Sequence, residues 1–256
     1  MNTSLTAALV SACLLAAVWI GMWLRRLLPE HHLSPDSRDT VKLAMGLVAT
    51  MSALLLGLLV SSAKTSYDTT RSQVIQMASK VALLDRVLGV YGPEGAELRR
   101  QMRSLIEEQM RRMWPGERTA PTQARPQAQS GDGFYVAIQS LPTRDDTQRA
   151  LKAQAVALTV EVAQLRSLML AESTSSISMP MLTVVVLWLV VIFLSFSLLA
   201  PPNATANLAL MVSALCTAGA LFLVLELDRP FGGLIQISSE PLRNVLSQLG
   251  KWGLKL

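Results

Sequence analysis

Residues 43–63 read LAMGLVATMSALLLGLLVSSA and contain no charged side chain. At a rise of about 1.5 Å per residue, a helix of this length spans a hydrocarbon core of roughly 30 Å. In lipid, every backbone N–H and C=O group must be satisfied within the segment, so an apolar run of this length predicts a helix. We therefore expect this stretch to cross a membrane.

Three further uncharged runs of similar length occupy residues 5–24, 180–199 and 208–225. The composition agrees, because 51% of the residues are hydrophobic and only 16% are charged, against about 25% charged in soluble proteins. The first run exceeds the 7–15 apolar residues of a signal peptide and has no basic residue before it. The chain is therefore predicted to be an all-α membrane protein with four transmembrane helices.

The order of these runs predicts four segments. Residues 1–63 form an N-terminal helix pair, 64–178 an extramembrane helical stalk, 179–228 a C-terminal helix pair and 229–256 an interfacial amphipathic tail. Within the stalk, residues 115–133 (PGERTAPTQARPQAQSGDG) lack apolar periodicity, and we expect a flexible tip there.

Apolar residues in the stalk follow heptad spacing, which is typical of coiled-coil packing. The first series predicts that the second membrane helix continues unbroken until Gly92 and Pro93; its members are Val74, Met77, Val81, Leu84, Leu88 and Tyr91. A second series predicts a helix that begins at about Glu94; its members are Leu98, Met102, Leu105, Gln109 and Met113.

A third heptad series predicts a long helix capped by Thr143; its members are Leu151, Ala155, Leu158, Val162, Leu165 and Met169. The three series together predict an antiparallel helical bundle. Spacing alone leaves open whether the heptads pair within one chain or between subunits. In the tail, Ser239 is expected to cap an amphipathic helix that lies on the membrane or docks on the bundle.

Small and hydroxyl-bearing residues line one side of two membrane helices. On the second helix they are Gly46, Thr50, Ala53, Gly57 and Ser61, and on the fourth they include Ser213 and Thr217. Small residues allow close helix packing in lipid, but in an oligomer such a row could also line a narrow pore. The third run, rich in Val and Leu, is expected to face lipid by comparison.

Charge is absent from the middle of all four runs. Proton-coupled transport and catalysis within the bilayer usually need an intramembrane ionisable residue, so this pattern favours a passive pore over a transporter or an enzyme. Glu226 and Asp228 follow the last run and could form an acidic mouth in an oligomer, or be simple interfacial charges.

The remaining charge pattern excludes other classes. The stalk intersperses fifteen Lys and Arg with twelve Asp and Glu, which is typical of a solvated helical surface and not of nucleic-acid binding. The only histidines, His31 and His32, are adjacent and lack further ligands, so we expect no metal site, no cofactor and no catalytic residue. Basic residues near the helix ends are balanced four against four, which leaves the membrane orientation open.

Three stretches together resemble a known family: RDTVKLAMGLVATMSALLLGLLVSSAKTSYD at 38–68, LLDRVLGVYGPEGAELR at 83–99 and ELDRPFGGLIQISSEPLRNVL at 226–246. The chain is similar, from about residue 34 to residue 246, to bacterial bestrophin-like membrane proteins, which are distantly related to bestrophin anion channels. The block LDRPFGGLIQIS is the most specific part. The resemblance implies a multi-pass protein of the bacterial inner membrane and, at second hand, conduction of small inorganic anions.

Two functions remain in view. The first is a homo-oligomeric anion channel of bestrophin-like type in the lipid bilayer. The alternative is a non-conducting membrane scaffold or sensor whose helical stalk binds a partner.

Overall fold

The computed structural model describes residues 3–27, 35–114, 131–172, 179–201 and 203–249. Within these ranges the chain is all-α. Its helices are α1 (Thr3–Leu27), α2 (Pro35–Tyr91), α3 (Glu94–Met113), α4 (Gly131–Gln139), α5 (Asp146–Glu172), α6 (Met179–Leu199), α7 (Ala204–Leu227) and α8 (Glu240–Gln248).

Four of these helices, α1, α2, α6 and α7, are long and apolar enough to cross a membrane. The prediction of four spans is confirmed. The second is one unbroken helix of 57 residues that ends at Tyr91, as the first heptad series predicts. Gly92 follows it with φ of +120°, a left-handed conformation that glycine adopts without steric cost.

The described residues form two compact units. The first comprises Met1–Tyr67, Ser175–Arg229 and Gly233–Ile235, and the second comprises Asp68–Thr174, Pro230–Gly232 and Gln236–Leu256.

In the first unit, α1 packs against both α6 and α7. α1 and α6 approach closely at Gly21, where an added Cβ would lie 2.6 Å from Cβ of Ser197 and 2.7 Å from the carbonyl oxygen of Leu194. The expectation that the third run mainly faces lipid is therefore wrong for one side of α6. The buried core of this unit is Ala7, Val10, Leu14, Ala17, Val18, Leu59, Ala63, Leu182, Val185, Phe193, Ala214, Ala218, Leu221, Val224 and Leu225.

In the second unit, α2 and α5 run antiparallel. Lys80 of α2 forms an ion pair with Glu161 of α5, whereas Tyr91, at the end of α2, donates a hydrogen bond to the carbonyl of Pro142 just before α5. All six members of the first heptad series are buried. The predicted helical bundle is therefore confirmed, and its position outside the membrane stays a prediction.

The buried side of α3 differs from the predicted one. Leu98 and Met102 are buried as expected, but the next buried residue is Met110, while Gln109 and Met113 are only half-buried. An added Cβ on Gly95 would overlap the carbonyl oxygen of Leu88. The first turn of α3 therefore packs directly on the backbone of α2.

The start of α5 also differs from the expectation. The helix begins at Asp146, and the carboxylate of Asp145 accepts a hydrogen bond of 2.6 Å from the backbone N–H of Gln148. Asp145 is thus the capping residue, and the prediction of Thr143 was wrong. An aspartate here also interacts favourably with the positive end of the helix.

The tail contains the predicted helix, which packs against α3 of the bundle. Leu242 and Leu246 of this helix are buried. Ser239 occupies the capping position, but its hydroxyl accepts a hydrogen bond from Arg243 at 3.0 Å. The backbone N–H of Glu240 donates instead to the hydroxyl of Ser238 at 3.1 Å.

The expected flexible tip falls mostly on residues 115–130, which lie outside the described residues. Its last three residues, 131–133, form the first turn of α4. The four-segment division of the chain stays a prediction.

Candidate functional site

The membrane-spanning part of α2 is the least buried of the four spans. Only 11% of its most apolar window is buried, against 28–33% for α1, α6 and α7. Its inner side is marked by Ser52, Leu59 and Ala63, which are buried. Most of the remaining helix surface is therefore available to lipid, water or another subunit.

The small residues predicted to line this helix all lie on its exposed side. Gly46, Thr50, Ala53, Gly57 and Ser61 are each exposed. A Cβ added at Gly46 or Gly57 would meet no heavy atom within 4 Å. The row therefore makes no close contact at its two glycines with the described part of this chain.

The hydroxyl of Thr50 donates a hydrogen bond of 2.8 Å to the carbonyl oxygen of Leu47 on the same helix. The hydroxyl hydrogen of Thr50 is therefore bonded within the helix. The hydroxyl oxygen can still accept a hydrogen bond on the exposed side.

A second row, of leucines, runs beside the small-residue row. It consists of Leu43, Leu47, Leu54 and Leu58, which are exposed by 78%, 64%, 75% and 58%. At about 100° per residue, this row is displaced by roughly 60° from the small-residue row. The outward side of α2 therefore presents two surfaces of different chemistry, one bulky and apolar and one small with hydroxyl groups.

The predicted residues of α7 are not the ones that pack within the chain. Ser213 is exposed and Thr217 is half-buried, with its hydroxyl bonded to the carbonyl of Ser213 at 2.9 Å. The close-packing small residues of α7 are Ala214 and Ala218 instead. A lining or intersubunit role for Ser213 and Thr217 stays a prediction.

Glu226, predicted as part of an acidic mouth, lies in the interior of the chain. It is 3% exposed, and its carboxylate accepts a hydrogen bond from the backbone N–H of Leu234. Gly233, which precedes Leu234, has φ of +98°, and an added Cβ there would overlap the Glu226 carboxylate. The backbone thus folds onto this carboxylate. Asp228 is half-buried, and a mouth role for either acid stays a prediction.

Trp114 is a structural residue that the sequence reasoning missed. Its side chain is fully buried at the end of α3, and its indole N–H donates a hydrogen bond of 2.7 Å to the carbonyl oxygen of Ile237. Its ring meets Phe231 edge-on, with centroids 5.3 Å apart. The loop from Pro230 to Ile237 is closed by a hydrogen bond of 2.7 Å from the backbone N–H of Ile237 to the carbonyl oxygen of Pro230.

These contacts explain much of the block that carries the family resemblance. Phe231 and Ile237 are both held by Trp114, while Gly233 makes room for Glu226. The sequence signal for this contact is the tryptophan at the end of a highly charged helix. A large aromatic ring there suggests a buried position, because leaving it on a polar surface is unfavourable.

Within the described residues, no group of three or more His, Cys, Asp and Glu side chains could hold a metal ion. His31 and His32 lie outside the described residues.

Comparison with protein families gives one result. The model of the Bestrophin-like domain matches residues 12–242. Comparison with curated proteins and with solved structures gives no match.

Proposed function

The chain belongs to the Bestrophin-like family, and from this premise we propose that it forms a homo-oligomeric channel for small inorganic anions in the bacterial inner membrane. In this proposal the small-residue row of α2 faces a water-filled path at the oligomer axis. The relationship to bestrophin channels supports ion conduction as the activity, and the four apolar helices support a location in the membrane.

The observation that carries the proposal is the pair of rows on the outward side of α2. Leucine side chains match hydrocarbon, and Leu43, Leu47, Leu54 and Leu58 suit lipid or a neighbouring subunit. Exposed glycine and hydroxyl residues suit lipid poorly, because they offer little packing surface and carry polar groups. At Gly46 and Gly57 the described chain provides no covering atoms.

The chemistry of the row fits passive conduction. None of its five members is ionisable, and a passive pore requires none, since hydroxyls and constrictions suffice. Thr50 and Ser61 would supply dipoles to a partly dehydrated ion, and the glycines would keep the path open. Ser213 and Thr217 of α7 are a second candidate lining in the same oligomer.

Reconstitution of the purified protein in planar bilayers tests this function. The proposal predicts anion-selective current, a sharp fall of unitary conductance in Gly57→Trp, and near-normal conductance in the matched control Leu54→Trp. Electron microscopy of the same sample should show rings with a central axis. Absence of current from correctly folded protein would overturn the proposal and favour the non-conducting scaffold.

A further inference from the structure

In the second compact unit, α3 has the surface expected of a helix that faces water. Its exposed residues include Glu97, Arg100, Arg103 and Arg112. The three arginines pair with glutamates three or four positions away on the same helix. Charges interspersed in this way are typical of a solvated helix face.

The outward side of α5 in the same unit carries no charge. Between residues 150 and 171 the charged residues are Lys152, Glu161 and Arg166, and all three are half-buried. Lys152 donates a hydrogen bond of 2.9 Å to the carbonyl of Leu141, and Glu161 is paired with α2. Every charge in this part of α5 is therefore turned away from the most exposed side of the helix.

That exposed side of α5 is apolar or small. At 100° per residue its members fall within about 100° of the helix circumference. They are Ala150, Ala153, Ala157, Val160, Ser167 and Leu168, all exposed.

The part of α2 that belongs to the second unit has a matching outward side, which again covers about 100° of the circumference. Its only exposed charge between residues 72 and 90 is Arg86, which has an interaction partner. Its other members are Ser72, Ile75, Ser79, Ala82, Leu83 and Val90, all exposed. The larger apolar side chains on the two outward sides are 39–63% exposed.

We propose that these two surfaces meet between neighbouring subunits, so that the outward side of α5 in one copy packs on the outward side of α2 in the next. This inference rests on the homo-oligomer of the proposed function and names the surfaces that would join its subunits. Charged residues are depleted from the cores of protein interfaces, and both surfaces meet this condition, whereas that of α3 does not.

The two surfaces suit each other in length and direction. Eighteen positions separate Ser72 from Val90 and Ala150 from Leu168, which is about 27 Å of helix in each case. α2 and α5 run antiparallel within the bundle, and rotation about an axis along the helices keeps them antiparallel between copies. Small residues on each surface leave room for the larger side chains of the other.

The area of the contact favours a ring of identical copies. A surface about 27 Å long and about 10 Å wide covers roughly 300 Å², against about 800 Å² per partner in a stable complex. One such contact is too small to hold a dimer. A contact between two different surfaces generates a ring when it closes, so each copy makes it twice. Copies held in one membrane also meet at a high effective concentration.

The ion pair between Lys80 and Glu161 sets the expected register. Because the helices are antiparallel, Ala82 and Val160 lie at about the same height, just beyond this pair. Rotation about an axis along the helices preserves height, so Ala82 of one copy should meet Val160 of the next.

Disulfide cross-linking of the full-length protein in membranes tests this contact. Cys13 and Cys216 are first replaced by alanine, and cysteines are then placed at Ala82 and Val160 together. A disulfide forms only when the two Cα atoms come within about 7 Å. Mild oxidation should therefore give a ladder of multimers on a non-reducing gel, while either cysteine alone should give monomers, because the contact joins two different surfaces.

The matched control combines Ala82→Cys with Ser104→Cys, since Ser104 is an exposed residue of α3, and it should give no ladder. Dimers from Val160→Cys alone would show that α5 pairs with itself and would overturn the proposal, as would a double variant that cross-links no better than the control. A ladder from protein that carries no current would overturn conduction and leave the contact standing. Current without the ladder would overturn the contact only.

A second measurement requires no cross-link. Val160→Glu places a charge in the proposed contact, where its burial is unfavourable. The dissociation constant of the oligomer in detergent, measured by native mass, should rise by about 10-fold or more, whereas Ser104→Glu should leave it unchanged. Both positions are exposed in the single chain, so circular dichroism should be the same for both variants. An unchanged oligomer in Val160→Glu would contradict the contact.

Discussion

The guanidinium of Arg99 on α3 makes two hydrogen bonds to the carboxylate of Asp85 on α2, from Nε to Oδ1 at 2.7 Å and from Nη2 to Oδ2 at 2.9 Å. The Asp85 side chain is 2% exposed and that of Arg99 is 13% exposed. The hydrogen bond to Asp85 raises the pKa of Arg99 above its ordinary value, against the opposing effect of burial. Arg99 therefore stays charged at neutral pH, and its two hydrogen bonds to Asp85 join the two helices.

Replacement of Arg99 alone should lower the stability of the fold. Arg99→Leu leaves a buried carboxylate without this partner, and we expect the free energy of unfolding to fall by about 3–5 kcal/mol. Combining it with Asp85→Leu removes the buried charge and should restore most of the loss. Thermal unfolding followed by circular dichroism in detergent measures both. A single variant as stable as the unmodified protein would contradict the structural role of the pair.

Trp114 gives a second prediction. Trp114→Phe keeps an aromatic ring beside Phe231 but leaves the Ile237 carbonyl without its donor, so stability should fall by about 1–3 kcal/mol. The matched control is Trp23→Phe on α1, where the side chain is 62% exposed and the change should stay within about 0.5 kcal/mol. Equal losses of stability at the two sites, measured by the same unfolding assay, would count against the buried hydrogen bond from Trp114 to Ile237.

The two adjacent glycines of the tail give a third prediction. Gly233→Ala forces a side chain into a left-handed conformation and into the Glu226 carboxylate, at a cost of about 2 kcal/mol or more. Gly232→Ala meets no atom within 4 Å and should be nearly neutral. Comparison of the two unfolding midpoints provides the check, and the account requires Gly233→Ala to be clearly the less stable.

Glu108 supplies a prediction for pH. Hydrogen bonds from Arg112 and then the nearby charges of both Arg111 and Arg112 hold the pKa of Glu108 below its ordinary value, although desolvation opposes them. The folded pKa thus lies below the unfolded one. The stabilisation is complete above the ordinary carboxyl pKa and disappears as the pH falls through the lowered folded pKa.

Carboxyl-carbon NMR of the labelled protein measures this titration directly. In Arg112→Gln the pKa of Glu108 should move upward toward its ordinary value, so the loss of stability in acid should be smaller and should be complete at a higher pH. An ordinary pKa in the unmodified protein would exclude the contact with Arg112 in solution.

The membrane helices were predictable because one physical rule governs them. An uncharged run long enough to cross lipid must satisfy its own backbone, and only a helix does so. The unbroken passage of α2 to Tyr91 was likewise predictable, since no proline occurs between Pro35 and Pro93. The antiparallel stalk followed from regular heptads in α2 and α5.

Features that depend on which partner meets which surface were not predictable from one helix at a time. The contact of Gly21 with Ser197 requires both helices to be known, so α6 looked like a lipid-facing span. In α3, the predicted heptad series passes through Gln109, whereas the residue buried after Met102 is Met110, eight positions on and about 80° farther around the helix axis. Gln109, the one polar residue in the predicted series, indicated that this series did not follow the buried side of α3.

The residues of the candidate ion path could be predicted from the sequence, but their exposure could not. The small-residue row was visible in the sequence, while its exposure opposite Ser52, Leu59 and Ala63 required the structure. The burial of Glu226 could not be inferred from its position after an apolar run, because it depends on the return of the chain at Gly233 and Leu234.

Cysteine accessibility on α2 can distinguish its two exposed rows. The native cysteines Cys13 and Cys216 are both exposed, so each is first replaced by alanine. Single cysteines are then placed at Thr50 and Gly57 in the small-residue row, or at Leu54 in the leucine row.

The most direct test is the current through each of these channels during exposure to a charged, membrane-impermeant thiol reagent. The account predicts rapid inhibition of Thr50→Cys and Gly57→Cys and no inhibition of Leu54→Cys, because only the first two face water. Inhibition of Leu54→Cys alone, or current that is insensitive at all three positions, would contradict an ion path along the small-residue row of α2.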